Sequence, residues 1–334
     1  MENVINMLEK DMINCWIVFI KPFDGPDRSD IEKVLPYQKQ CIDHKIFGMG
    51  WPLDTDRIPF ESKLTSEIGE SYAKEYADNN EKHESPSPKA LSQYGKMKPG
   101  DIAIMRMMNG HYQIGKLITG ALFLHTNESP YEELSWGCRV EKWYEVANEA
   151  DVPSGIRGRF SQSHLGTVQR VADDNTKALI CSLYEVKAFG NLSAPPIKLT
   201  KENFARNLDY KELEDLVFLY MWNKHKDEGY ILLPSSCKVN QPVYEFYFTN
   251  ARDGSITCQV KNQSEAPQPQ RYAEDSHIRI IYVFSGLWDE KAAEKYQETA
   301  TDAGINNVKA ILPSELYQTL LHNKELFTNA YRTL

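Results

Sequence analysis

The chain has 334 residues, enough for two domains of ordinary size, and its 41% hydrophobic and 25% charged content is that of a globular protein. A formal net charge of −9 argues against a protein that coats nucleic acid indiscriminately, since such binding rests on Lys and Arg neutralising phosphates. No apolar run approaches the roughly 20 residues that span a bilayer, so no membrane association is expected. The stretch MENVINMLEKDMINCW is too acidic for a signal peptide. Six scattered cysteines without a CxxC pair predict reduced thiols in a cytoplasmic protein, with neither a disulfide framework nor a structural zinc site.

Residues 12–20 (MINCWIVFI) read as a buried strand. Residues 29–43 read as helical or irregular, and IFGMGWPLD (46–54) as a strand entering a tight turn. Residues 62–84 have helical composition and are stopped by SPSP at 85–88; a further helix is expected over 89–95. Strands follow at 97–107, 111–120, 121–125 and 134–146, then a loop with a short strand over 156–171 and a helix over 174–188. The first 190 residues thus read as a β-rich, barrel-like domain with peripheral helices. Residues 191–208 fall in a Gly/Ser/Pro/Asn-rich stretch and read as the linker.

The domain expected over 209–334 starts with an amphipathic helix at 210–225, its apolar face carrying Leu213, Leu216, Val217, Tyr220 and Met221. A short strand at 230–236 precedes a hairpin of 243–250 and 255–262 turning at Asp253-Gly254. An apolar strand (278–285), a helix (288–303), a strand (308–312) and a C-terminal helix complete a mixed α/β order. The overall fold class is α+β.

The chemistry concentrates on the hairpin. Gln259 and Lys261 lie two residues apart on one strand, so both side chains leave the same face. Glu245 sits on the facing strand, sixteen residues before Lys261. Glu214 and Asp215, on the preceding helix, are within reach as an outer acid. An acid, an amide oxygen and an ammonium gathered on one face suit phosphodiester hydrolysis. There Mg2+ held by carboxylates generates the attacking water and stabilises the leaving oxygen.

The stretches ELEDLVFLYMW, GYILLPSSCK, PVYEFYF, CQVKN and IYVFS, over about 210–290, resemble the PD-(D/E)xK nuclease superfamily, in particular its Mrr-like restriction branch. The resemblance implies that Glu245 is the principal Mg2+ ligand and Gln259 the second. It implies Lys261 as the residue that orients water or stabilises charge, and Glu214 as the supporting acid. A more usual member carries Asp at the first position and Asp or Glu at the second. The neutral Gln259 therefore leaves the site with less negative charge.

Upstream, IFGMGWP, MKPGDIAIMR, YQIGKLITG, WGCRVEKW and GTVQRV, in that order, resemble the PUA-like barrels, specifically the EVE-like domains found in front of restriction nucleases. The resemblance implies a barrel that takes a flipped, modified base into an aromatic pocket, where stacking and edge hydrogen bonds replace those of the duplex. Trp51, Trp136, Trp143 and Tyr112 are the stacking candidates. Met49 would pack beside the ring, and Arg139 or Asp54 would read an edge. Arg157, Arg159, His164 and Arg170 form a basic stretch for DNA-backbone phosphates.

The sequence thus points to a restriction endonuclease with an EVE/PUA-like domain and a restriction-endonuclease-like domain. Its expected partner is double-stranded phage DNA carrying modified bases. Double-strand cleavage needs two sites, so a homodimer is expected at least on DNA. Two alternatives stand beside it: a reader of modified DNA whose nuclease fold does not cut, and a defence nuclease gated by a signalling nucleotide. An RNA-directed enzyme is a third.

Overall fold

The structure, a computed structural model, describes residues 13–20, 30–53, 55, 57–79, 88–160, 168–190, 199–237, 244–262 and 264–327. The chain divides into two compact units, Met1–Pro196 and Ile197–Leu334, and is mixed α+β in both.

The first unit is built on β1 (Cys15–Val18), β2 (Ile46–Gly48), β3 (Ile102–Arg106), β4 (Tyr112–Leu117), β5 (Leu122–Phe123), β6 (Trp136–Val146) and β7 (Val168–Arg170). These form one curled, half-barrel sheet in the order β2-β6-β4-β3-β1-β7, with β5 also paired to β6. β1 runs parallel to β3 and antiparallel to β7. All four of its residues are buried because both faces of the sheet are covered. Trp16, Val18, Ala103 and Met105 face an inner core; Cys15, Ile17, Ile102 and Ile104 face an outer one.

The inner core receives Tyr37 and Cys41 from α1 (Ile31–Asp43), Tyr72 and Tyr76 from α2 (Ser66–Asn79), and Leu91 and Tyr94 from α3 (Pro88–Tyr94). The segment expected as a loop at 156–171 instead starts as a short helix, α4 (Ser154–Phe160). Ile156 and Phe160 turn it onto the outer core, so burial overrides its Gly and Arg content. α5 (Asp174–Phe189) covers the same face with Ile180, Cys181, Leu183 and Tyr184.

Glycine lets β2 and β6 approach closely. A Cβ on Gly137 would lie 2.3 Å from the Phe47 carbonyl oxygen and 2.8 Å from Leu124 Cδ1. Neither the paired backbone nor the core behind it can yield cheaply. Gly137→Ala is therefore expected to destabilise the first unit by about 3 kcal/mol, read as a lowered melting temperature of that unit.

The second unit holds β8 (Ile231–Leu232), β9 (Tyr247–Asn250), β10 (Gly254–Lys261), β11 (Ile280–Ser285) and β12 (Val308–Ala310) in the order β12-β11-β10-β9-β8. β10, β11 and β12 are mutually parallel, and β9 and β10 form the expected antiparallel hairpin. α6 (Phe204–Asn207), α7 (Tyr210–His225), α8 (Glu290–Asp302) and α9 (Pro313–His322) complete it. The apolar face expected for α7 is the one it buries.

The expected linker needs correction. Leu199, Phe204, Ala205 and Leu208 are buried, and the Phe204 ring lies 5.4 Å from that of Tyr317. Four buried apolar side chains make 199–208 part of the second unit rather than a tether; 191–198 lies outside the described residues.

Candidate functional site

On β10, Gln259 and Lys261 leave one face, opposite Val283 and Ser285 of β11, while Cys258 and Val260 take the other. Glu245 is not on the first hairpin strand proper. It sits in a bend two residues ahead of β9, although its N–H still donates to the Cys258 carbonyl at 3.1 Å. The bend turns its carboxylate across the strand end. Glu245 Oε1 accepts from Gln259 Nε2 at 3.1 Å and from the Val260 N–H at 3.4 Å. Gln259 is only 4% exposed, so this bond satisfies an amide that is otherwise costly to bury. Lys261 is half-buried, and among the described residues its ammonium has no hydrogen-bond or ion-pair partner.

Glu214 arrives from α7. The start of that helix is fixed by a capping box: the Asp209 carboxylate accepts from the Lys211 N–H at 2.9 Å, and Glu212 accepts from the Asp209 N–H at 3.3 Å. One turn in, Glu214 Oε2 accepts from Lys211 Nζ at 2.6 Å. Burial pushes the Glu214 carboxyl up, Lys211 pulls it down, and the carboxylates of Glu245 and Asp215 push it up further, so the net shift is upward. Burial opposes the charge on Lys211 as well, but Glu214, and more weakly Glu245, outweigh it and hold that ammonium above its ordinary range. The buried Cys258 thiol is raised by burial and then by the same two carboxylates. Glu214, Glu245 and Lys211 therefore share one electrostatic neighbourhood. Sequence reasoning passed over Lys211; the signal was its i,i+3 spacing from Glu214.

The donor set admits a hard cation of limited demands. Glu245 supplies one carboxylate. Gln259 supplies an amide oxygen after a half-turn of its terminal torsion, which exchanges Oε1 and Nε2. Among the described residues no three His, Cys, Asp or Glu side chains gather as a metal-binding group. Such a set suits Mg2+, which keeps several of its waters and asks for one or two carboxylates.

The first unit places the expected base-binding residues less favourably. Trp136 and Met49 are fully buried and Trp143 is 7% exposed, all within the inner core. Trp136 packs at 5.7 Å from Tyr72 and 5.3 Å from Phe123, and Trp143 at 6.1 Å from Phe47. Rings wrapped by their own core present no face to an incoming base, so these three are core residues. Tyr112 points through the sheet to the outer core, where it packs on Phe160 and donates to Glu149 Oε1 at 3.1 Å. It shares no pocket with the tryptophans.

Trp51 is half-buried against the inner core at φ +63°, a left-handed conformation costly for a bulky residue, and its carbonyl accepts from the Tyr72 hydroxyl. Arg139 is committed to Glu61 through Nε at 2.7 Å and through Nη2. Arg157 and Arg159 lie on α4, and Arg170 is exposed on the edge strand β7, so the basic residues are not one loop. Asp54 and His164 lie outside the described residues.

An open cavity of about 520 Å³ does occur in this unit, lined by Ile58, Phe60, Phe123, His125, Thr126 and Asn127. Phe60 is 44% exposed, its ring edge-on to Tyr131 at 6.0 Å. Phe123 is backed by Trp136. The signal missed in the sequence was the run FLHTN, an aromatic strand end followed at once by polar side chains.

No family model matches the chain, and neither a curated protein nor a solved structure matches it. Among the described residues no helix is long and apolar enough to cross a membrane.

Proposed function

We propose that the chain is a Mg2+-dependent endonuclease directed to DNA that carries modified bases. The observation that carries the reading is the joined pair Glu245–Gln259 with a half-buried Lys261 on the strand face of Gln259, unpaired among the described residues. A partly exposed ammonium on the strand face of Gln259, without a partner among the described residues, is suited to receive a phosphate or a water. In this reading Glu245 and Gln259 hold the ion, which supplies a reactive water and neutralises developing charge at the phosphate. Lys261 orients that water or stabilises the charge, and Glu214 supports the acid cluster. The resemblance of the hairpin and its preceding helix to PD-(D/E)xK enzymes agrees with this assignment, and Mg2+ would be bound weakly because Gln259 is neutral.

The modified base is assigned to the cavity of Phe60 and Phe123 rather than to the buried tryptophans. Phe60 offers an exposed stacking face, and His125, Thr126 and Asn127 offer donors and acceptors for a base edge. Phe60→Ala is expected to weaken binding to modified DNA about tenfold in an anisotropy titration, the loss of one stacking contact, with an unchanged melting temperature. The reading as a whole is tested by digesting a panel of differently modified DNAs with Mg2+, where cutting of at least one modified DNA and sparing of the unmodified one is the expected result. The second reading, a reader that does not cut, is favoured by the neutral Gln259 and by the ion pair that occupies Glu214. Tight binding to the panel without any cleavage would establish it.

A further inference from the structure

We propose, on the reading above of Lys261 as the residue that serves the reaction, that Asn262 is its positioning residue. Asn262 clamps the end of β10 to the start of α7 and so holds the backbone from which Lys261 projects. It follows Lys261 directly, and its Nδ2 donates to the Leu208 carbonyl at 2.9 Å. Leu208 is buried and immediately precedes Asp209, which caps α7. One side chain therefore joins the strand that carries Gln259 and Lys261 to the helix that carries Glu214. Asn262 Oδ1 is buried and has no hydrogen-bond partner among the described residues, so the bond to Leu208 is what its amide contributes.

Lys261 needs such a hold. The ladder between β10 and β9 ends at Thr257, well before Lys261. On the other side β11 follows β10 to its last residue, with Ser285 opposite Lys261, and the Gly286 N–H donates to the Lys261 carbonyl at 2.7 Å. Lys261 thus stands on a strand end with one ladder, and Asn262 supplies the lateral tie that β9 does not. The fit around the tie is close. A Cβ on Gly286 would lie 2.3 Å from the Asn262 carbonyl oxygen and 3.1 Å from that of Ala205, so the end of β11, Asn262 and α6 meet without room for a side chain. Beyond Asn262, the Ser285 hydroxyl donates to the Ser264 carbonyl at 3.0 Å. The Lys261 ammonium has no partner among the described residues, so no contact at its tip fixes it. Its position is set by the backbone that carries it, and a misplacement of about 1 Å at a reacting centre can cost about 10²-fold in rate.

The test is a double-variant cycle on the full-length protein, read as single-turnover cleavage at saturating modified DNA and Mg2+, below the melting temperature of every variant. Asn262→Asp keeps the shape of the side chain but removes the donor to Leu208. Asn262→Ala covers the case that the added charge perturbs the fold. Each is expected to slow cleavage by about 10–100-fold, with DNA affinity unchanged in an anisotropy titration. Combined with Lys261→Ala, neither is expected to slow cleavage beyond Lys261→Ala alone, because the two residues act through one group. A role confined to stability would lower the melting temperature and leave the saturated rate unchanged. An unchanged rate in both Asn262 variants, or slowing that adds in full to that of Lys261→Ala, would overturn the role of Asn262 and leave the nuclease reading standing. A wild type that cuts no DNA of the panel, or a rate indifferent to Lys261→Ala, would overturn that reading and this assignment with it.

Discussion

Lys261→Ala is expected to slow cleavage of a susceptible modified DNA by about 10²–10³-fold, the usual cost of removing one charge-stabilising group from a reacting centre. It should do so without disturbing the fold. The Lys261 ammonium has no partner among the described residues, so its removal orphans nothing, and partly exposed positions of this kind change stability by no more than about 0.5 kcal/mol. Glu245→Ala is a poorer probe. It strips an acceptor from the buried Gln259 amide and from the Val260 N–H, which costs about 1–3 kcal/mol in its own right. The measurement is a single-turnover cleavage rate beside a thermal melt. A Lys261→Ala protein that melts like the wild type and cuts at the wild-type rate would remove Lys261 from the chemistry.

The second large effect is on stability. Trp136→Ala is expected to destabilise the first unit by about 3–5 kcal/mol. For a unit of this size that lowers the melting temperature by roughly 10–15 °C. The indole is fully buried between Tyr72 and Phe123, and no smaller side chain fills the space it leaves. The same variant separates two roles. A stacking tryptophan would lose DNA affinity and keep its melting temperature; a core tryptophan would do the reverse. Differential scanning calorimetry of the wild type and the variant decides between them.

Much of the second unit was legible in sequence. The apolar face of α7, the Asp253-Gly254 turn with Gly254 at φ +82°, and the shared face of Gln259 and Lys261 all follow from local periodicity and turn chemistry. The hydrogen bond from Gln259 to Glu245 did not follow, because it depends on a bend that leaves Glu245 ahead of the ladder. The role of 199–208 was misread for a related reason. Gly, Ser, Pro and Asn describe the backbone's preference, whereas Leu199, Phe204 and Leu208 find burial in elements distant in the chain.

The first unit shows the limit more sharply. Its strands were readable, but which face each aromatic occupies was not. On β6 the register shifts where Gly115 pairs with Trp143 and Leu117 with Val140, so β6 carries one extra residue. Strand alternation would send Trp143 to the side opposite Trp136, Cys138 and Val140; the bulge returns it to the same inner core. A one-residue slip reverses every later side chain, and composition carries no trace of it. By itself the sequence determined the α+β class, the hairpin with its acid, amide and lysine, and the helix before them, since each depends on neighbours a few residues apart. Only the tertiary structure decided that Trp136 and Trp143 are core, that Phe60 and Phe123 line the open cavity, and that Lys211 stands on Glu214 within reach of Glu245's field. Those outcomes depend on which surfaces are left uncovered once distant elements have packed.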